Sequence, residues 1–227
     1  MLSFISSSMP KQSLCPSFSR MFSQQVSQRK INRPSPGAFD FKCLNESVVK
    51  AEYAVRGPIL TRANRIIAIS ENTKKDIIEI FNINPQKIDV IYHSTSMKHF
   101  SGKHKLQIPK RFLLFVGDRT PYKNFKSFME TFAQIHEKDK TLFAIYTGSK
   151  LKKDEQETLT NMGILEYTIH IKASDQALSE LYSSALLFVY PSLYEGFGIP
   201  ILEAYACHCP VALSNTSCFP EIAGEAA

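Results

Sequence analysis

Between Leu186 and Ala206 the chain changes character twice within about twenty residues. An apolar run, Leu186 to Tyr190, stops at Pro191. The loop Pro191-Ser192-Leu193-Tyr194-Glu195-Gly196-Phe197-Gly198 follows, and an apolar-periodic segment opens at Ile199-Pro200. A sheet strand delivers a ligand loop and then a helix N-terminus in this order. Gly196 and Gly198 permit close backbone approach, and Pro200 suits the first helical turn. Backbone donors suit an anion, and the carboxylates of Glu195 and Glu203 suit hydroxyl groups. Those are the two things a phosphorylated sugar displays. The plainer reading makes Glu203 a helix-start residue and Glu195 an exposed loop acid. Nothing sets the two across one scissile bond as a glycosidase pair.

A second constellation, Gly117-Asp118-Arg119-Thr120-Pro121-Tyr122-Lys123-Asn124, follows the apolar strand Phe112 to Val116. Arg119 offers a planar fork of donors and Lys123 a mobile ammonium, a pair suited to two linked phosphates. The alternative is solvent-facing capping chemistry. No Ser/His/Asp or Cys/His nucleophile stands out. The six histidines are scattered, and structural or exposed roles are expected for each. A glycine-rich dinucleotide fingerprint and a Walker-type loop are both missing, which argues against a dehydrogenase and a P-loop hydrolase.

Apolar spacing predicts an alternating series. Helix is expected from Asn45 to Ala63 with an interruption near Gly57-Pro58, then strand Ile66 to Ile69. A helix to Phe81 follows, capped by Thr73 with Asp76, and then strand Ile88 to Tyr92. After a charged, aperiodic stretch come strands at Phe112–Val116, Thr141–Tyr146, Thr168–Ile171, Leu186–Tyr190 and Val211–Leu213. Helices are expected at Asn124–Glu137, Lys152–Asn161, Asp175–Ser183 and Ile199–Cys207, with another beginning at Phe219. Short apolar strands alternating with helices require a largely parallel sheet covered on both faces. The expected division is a poorly ordered or remnant leader at 1–44, the tail of a first domain at 45–97, a linker at 98–110 and an incomplete α/β domain at 111–227.

Composition narrows the classes. The 227 residues are 44% hydrophobic with sixteen phenylalanines, enough for real cores. Basic residues number 27 against 21 acidic, a net charge of +6 that suits a phosphorylated ligand or an anionic surface. No basic block is interleaved with stacking aromatics, so nucleic acid is not expected as a partner. Five cysteines at uneven spacing do not form a secreted disulfide framework, and a reducing, cytoplasmic compartment is the expectation. Cys207-His208-Cys209 with Cys218 fits tetrahedral zinc poorly, so no metal is expected. No apolar run is long enough to span a membrane. The acid-poor, Ser-rich first forty residues also have the composition of a transit peptide, without its amphipathic helix.

These motifs resemble the retaining glycosyltransferases of family 4, the group-1 type with two facing Rossmann-like domains. The likeness runs from Arg62 to Asp76, through Ile88 to His93 and Phe115 to Phe125, to the loop and helix Tyr190 to Ala206 and Pro220-Glu221. It covers about residues 45 to 227, and the glutamate, seven residues, glutamate motif is its most specific part. The resemblance implies a GT-B donor domain and sugar transfer from a nucleotide diphosphate donor (GDP-, UDP- or ADP-linked) with retention. A mannosyl group is favoured by the stretch Arg119 to Phe125, and the acceptor would be a saccharide or lipid-linked glycan of polysaccharide biosynthesis. It implies no cofactor and no essential metal. Arg119 and Lys123 would contact the diphosphate, Glu195 the donor sugar and Glu203 the ribose, with Gly117 and the amides of Gly196, Phe197 and Gly198 completing the site. His93-Ser94 departs from the family's usual glycine after that strand. Most of the first domain and a final bracing helix are expected to be lacking, so the chain reads as a fragment. A partner chain supplying the first domain and peripheral membrane contact fit the same picture. Two rivals stand beside it: a non-catalytic nucleotide-sugar-binding or protein-interaction module, and a same-fold enzyme such as an epimerase or a pyridoxal-dependent phosphorylase.

Overall fold

The computed structural model describes Leu2–Phe4, residues 57–102 and residues 106–226. Strands are β1 (Leu2–Phe4), β2 (Ile66–Ala68), β3 (Ile88–Val90), β4 (Phe112–Phe115), β5 (Phe143–Tyr146), β6 (Thr168–His170), β7 (Leu187–Tyr190) and β8 (Val211–Ser214). Helices are α1 (Glu71–Phe81), α2 (Phe125–Lys138), α3 (Lys153–Asn161), α4 (Asp175–Ser184), α5 (Ile199–Ala206) and α6 (Phe219–Ala223). The expected strands and helices from Ile66 onward recur with ends shifted by a residue or two.

The large sheet has the order β1-β8-β7-β4-β5-β6. From β8 to β6 all pairs are parallel, and β1 adds an antiparallel strand on the open edge of β8. Leu2–Phe4 is therefore paired, while the rest of the expected leader lies outside the described residues. Strand β4 shows why both faces must be covered. Phe112 and Leu114 enter one core with Phe188, Val211, Leu181 and Ile201, under α4 and α5. Leu113 and Phe115 enter the other, with Phe128, Met129, Phe132 and Ile135 of α2. All four β4 residues are fully buried, the pattern of a central parallel strand. Helix α2 presents its apolar residues three and four apart, so one face meets the sheet. The chain runs from β4 outward to β5 and β6, then returns to place β7 on the other side of β4. The order reverses between β4 and β7, and their loops open one crevice.

The smaller unit is the parallel pair β2–β3 with α1 packed on one face. One expectation is corrected here. Residues 57–62 are helical, and 45–56, which lead into the junction expected near Gly57-Pro58, lie outside the described residues. Helix α1 is capped by Ser70, whose hydroxyl accepts the Thr73 amide at 2.9 Å, rather than by Thr73 with Asp76. The stretch expected as a linker is hydrogen-bonded along α4. Ser179 Oγ donates to the Lys98 carbonyl at 2.7 Å, the Phe100 amide to Ser183 Oγ at 3.0 Å and the Leu106 amide to Glu180 at 3.0 Å.

Candidate functional site

The loops after β4 and β7 are joined directly. The Leu193 amide donates to the Tyr122 carbonyl at 2.7 Å, and Asn124 Nδ2 donates to the Pro191 carbonyl at 3.2 Å. This join carries Lys123 to Glu195: Nζ lies 2.7 Å from Oε1, with both side chains only 14% exposed. Lys123 Nζ also donates to the Tyr190 hydroxyl at 3.2 Å. A nearly buried ammonium and carboxylate offset their lost hydration through such mutual contact together with neighbouring hydrogen bonds. Burial first, and the Glu195 carboxylate second, push the Tyr190 phenol well above its ordinary range, so it stays protonated.

Glu195 is held from behind by the loop after β8. Its amide donates to Ser217 Oγ at 3.2 Å, and its carbonyl accepts from Ser217 Oγ at 2.5 Å and Cys218 Sγ at 3.2 Å. The next carbonyl, that of Gly196, accepts from Ser70 Oγ at 2.7 Å and Thr73 Oγ1 at 3.1 Å. Carbonyl oxygens that faced the crevice would repel an anion; these two are tied elsewhere. Around them, the first turns of α1 grip the loop further. The Tyr194 hydroxyl donates to Asp76 and accepts from Asn72 Nδ2 at 3.1 Å. Glu221 accepts the Glu71 amide at 2.6 Å and the Asn72 amide at 3.2 Å, at the positive end of α1. Burial raises the Asp76 carboxyl, against the Tyr194 hydrogen bond. The Phe197 ring, 4% exposed, sits 5.2 Å from the His93 ring and 6.0 Å from that of Tyr92.

Gly198 caps α5 at φ +87°, where a Cβ would also stand 3.1 Å from Ile201 and Phe219, so the turn into the helix requires glycine. One turn inside α5, Glu203 accepts from the Tyr182 hydroxyl of α4 at 3.1 Å. Burial raises its carboxyl, with Asp175 adding to the shift. Glu195 and Glu203 thus keep separate partners.

Arg119 departs most from the sequence expectation. Its Nε and Nη2 donate to the two Glu155 oxygens at 2.9 and 3.0 Å. Nη2 also donates to the Lys150 carbonyl at 2.6 Å and Nη1 to the Ser149 carbonyl. The side chain is 6% exposed and lies over the Phe125 and Tyr146 rings, 5.5 and 5.3 Å from their centroids. It lines a cleft of about 450 Å³ with Met129, Glu155, Leu159 and Met162, between α2 and α3. The structure therefore brings Lys123 together with Glu195 and places Arg119 with Glu155. Gly117 is engaged too: its amide donates to Thr147 Oγ1 at 3.1 Å.

Sequence reasoning missed Glu155, Ser70, Ser217 and the loop Thr147-Gly148-Ser149. For that loop a signal existed, since Gly148 follows β5 as Gly117 follows β4. Among the described residues no group of three or more His, Cys, Asp or Glu is placed to hold a metal. Cys207, Cys209 and Cys218 are buried free thiols, and burial pushes Cys209 and Cys218 up to about 12.

The parallel sheet with its reversed strand order is the Rossmann-like α/β architecture of the GT-B fold, and solved structures agree. Sucrose-phosphate synthase from Thermosynechococcus elongatus superposes with a TM-score of 0.67 at 20% identity, over 81% of this chain and 49% of that one. WaaG, a glycosyltransferase involved in lipopolysaccharide biosynthesis, gives 0.65 at 16% identity, over 88% and 56%. Residues 96–227 match the family described as "Glycosyl transferases group 1", and the chain belongs to it. O-antigen chain mannosyltransferase B of Escherichia coli is 29% identical over 74% of this chain and 47% of its own length. O-antigen chain mannosyltransferase RfbU of Salmonella typhimurium is 29% identical over 71% and 45%. The chain spans about half the length of these curated relatives.

Proposed function

We propose that this chain carries the nucleotide-sugar site of a retaining glycosyltransferase, with a mannosyl nucleoside diphosphate as donor and a saccharide or lipid-linked glycan as acceptor. The observation that carries the reading is the nearly buried Lys123–Glu195 pair at the strand-order reversal. A donor diphosphate would compete with Glu195 for the Lys123 ammonium. Lys123 would then offset charge gathering on the leaving group, and the released Glu195 carboxylate would orient the sugar ring. The amides of Gly196, Phe197 and Gly198 would face the donor, and Glu203 would accept from the ribose hydroxyls. The donor unit would be 111–227, joined through 98–110 to the tail of the acceptor-side domain at 45–97. The mannosyl assignment rests on the two O-antigen relatives, both named as mannosyltransferases. A lipid-linked acceptor would place the protein at the cytoplasmic membrane face, and no described helix is long and apolar enough to cross a membrane.

Calorimetric titration with uridine, guanosine and adenosine diphosphate sugars tests the site. Saturable binding of one base supports it; a folded chain that binds none overturns it. A second reading, donor binding without turnover, is favoured by the open face of the small sheet, where Ile67 and Ile91 are 65% and 56% exposed. Donor hydrolysis or transfer by the same sample separates the two.

A further inference from the structure

Arg119 has five N–H donors, and four are already engaged by Glu155, Ser149 and Lys150. The fork is flanked by two aromatic rings and belongs to the α2–α3 side of the sheet. Such a group has little left to offer a diphosphate. What it does hold is the loop after β5. The carbonyls of Ser149 and Lys150 are drawn to the guanidinium, and Glu155 also accepts the Lys152 amide at 2.7 Å, closing the loop's far end. The near end is bound to the loop after β4. The Thr147 amide donates to the Phe115 carbonyl at 3.0 Å, and Thr147 Oγ1 accepts the Gly117 amide. Between these ties, Gly148 presses against Gly117: a Cβ there would stand 2.5 Å from the Gly117 carbonyl oxygen, at a φ of +88°. The two loops touch backbone to backbone, and the Arg119–Glu155 pair closes the contact from outside.

We propose that Arg119 is a positioning residue: with Glu155 it clamps the loop after β5 onto Gly117, so the loop carrying Lys123 meets the donor in one conformation. This rests on the donor-site reading above. Phosphate charge then falls to Lys123, and Glu155, thirty-six residues from Arg119, becomes part of the binding machinery.

The test uses the full chain and the variants Arg119→Lys, Glu155→Gln and the double variant. Lysine keeps the charge and loses the fork; glutamine keeps the cap on Lys152 and loses the ion pair. Two quantities are read at a temperature where every variant is folded by circular dichroism. One is amide exchange at Gly117 and Thr147; the other is affinity for GDP, UDP and ADP. The clamp predicts a loss of protection of about tenfold in each single variant and none further in the double. It predicts weaker binding by about tenfold, equally non-additive. A merely structural brace would lower the melting temperature and leave the affinity of the folded protein unchanged, which overturns the proposal. It is also overturned if Arg119→Lys weakens binding while Glu155→Gln leaves it unchanged or tightens it, the pattern of an arginine that touches phosphate. If the parent chain binds none of the three nucleotides, the donor reading falls, and the exchange arm still decides whether the clamp exists.

Discussion

The β4–β8 sheet and the β2–β3 pair meet at the same loop and bring different assets to it. The large sheet buries every residue of β4, β7 and β8 and encloses two apolar cores. Among the described residues the small unit has four buried core residues, and Ile67 and Ile91 are exposed. Yet the small unit supplies Ser70, Asn72, Thr73 and Asp76 to the loop that carries Glu195. One region provides rigidity and charge, and the other provides the grip that shapes the loop. A site can therefore depend on a unit that contributes little apolar burial.

The largest effects should separate the two cores. Phe132→Ala, in the large one, is expected to cost about 4 kcal/mol in urea denaturation. Ile88→Ala, in the small one, should cost about 2 kcal/mol, and a greater loss there would break the comparison. Next comes the charge at the crevice. Lys123→Met strands the Glu195 carboxylate and should cost about 3 kcal/mol while abolishing nucleoside diphosphate binding. Glu195→Gln should keep or tighten that binding, because Lys123 then has no competing carboxylate; a tenfold weakening by calorimetry would sink the competition. Ser70→Ala removes the cap of α1 and a hydrogen bond to Gly196, for about 1 kcal/mol of stability. Diphosphate affinity should fall with it, and an unchanged affinity would show that the small unit only decorates the loop.

The smallest effects are titrations of opposite sign. Burial raises the folded Glu203 carboxyl above its ordinary 4.5. The folded state then holds a proton that the unfolded state releases, so this contribution is full below 4.5 and lost as pH rises through the folded value. Arg119 lowers the folded Glu155 carboxyl, so its contribution is present above 4.5 and lost as pH falls through the folded value. Urea midpoints against pH for Glu203→Gln and Glu155→Gln should differ from the parent with opposite slopes.

Much of the loop geometry was legible locally. The break at Pro191, the glycines flanking Phe197 and the proline opening α5 each announce a strand-to-helix turn through backbone chemistry within a few residues. Alternation placed the sheet for the same reason, since burial on two faces shows as unbroken apolar strands. Arg119 was not legible. It stands four residues from Lys123, which invites a shared anion, yet the fold turns it to Glu155 instead. Ser70 shows the same limit: it stands directly before α1, yet its bond to the Gly196 carbonyl spans 126 residues.

From Ile66 onward the sequence by itself determined which segments are strands and which loops leave the C-terminal sheet edge. Only the tertiary structure decided which charge pairs with which. Period and propensity act over a few residues, whereas an ion pair out of water forms only where distant elements exclude solvent around both partners.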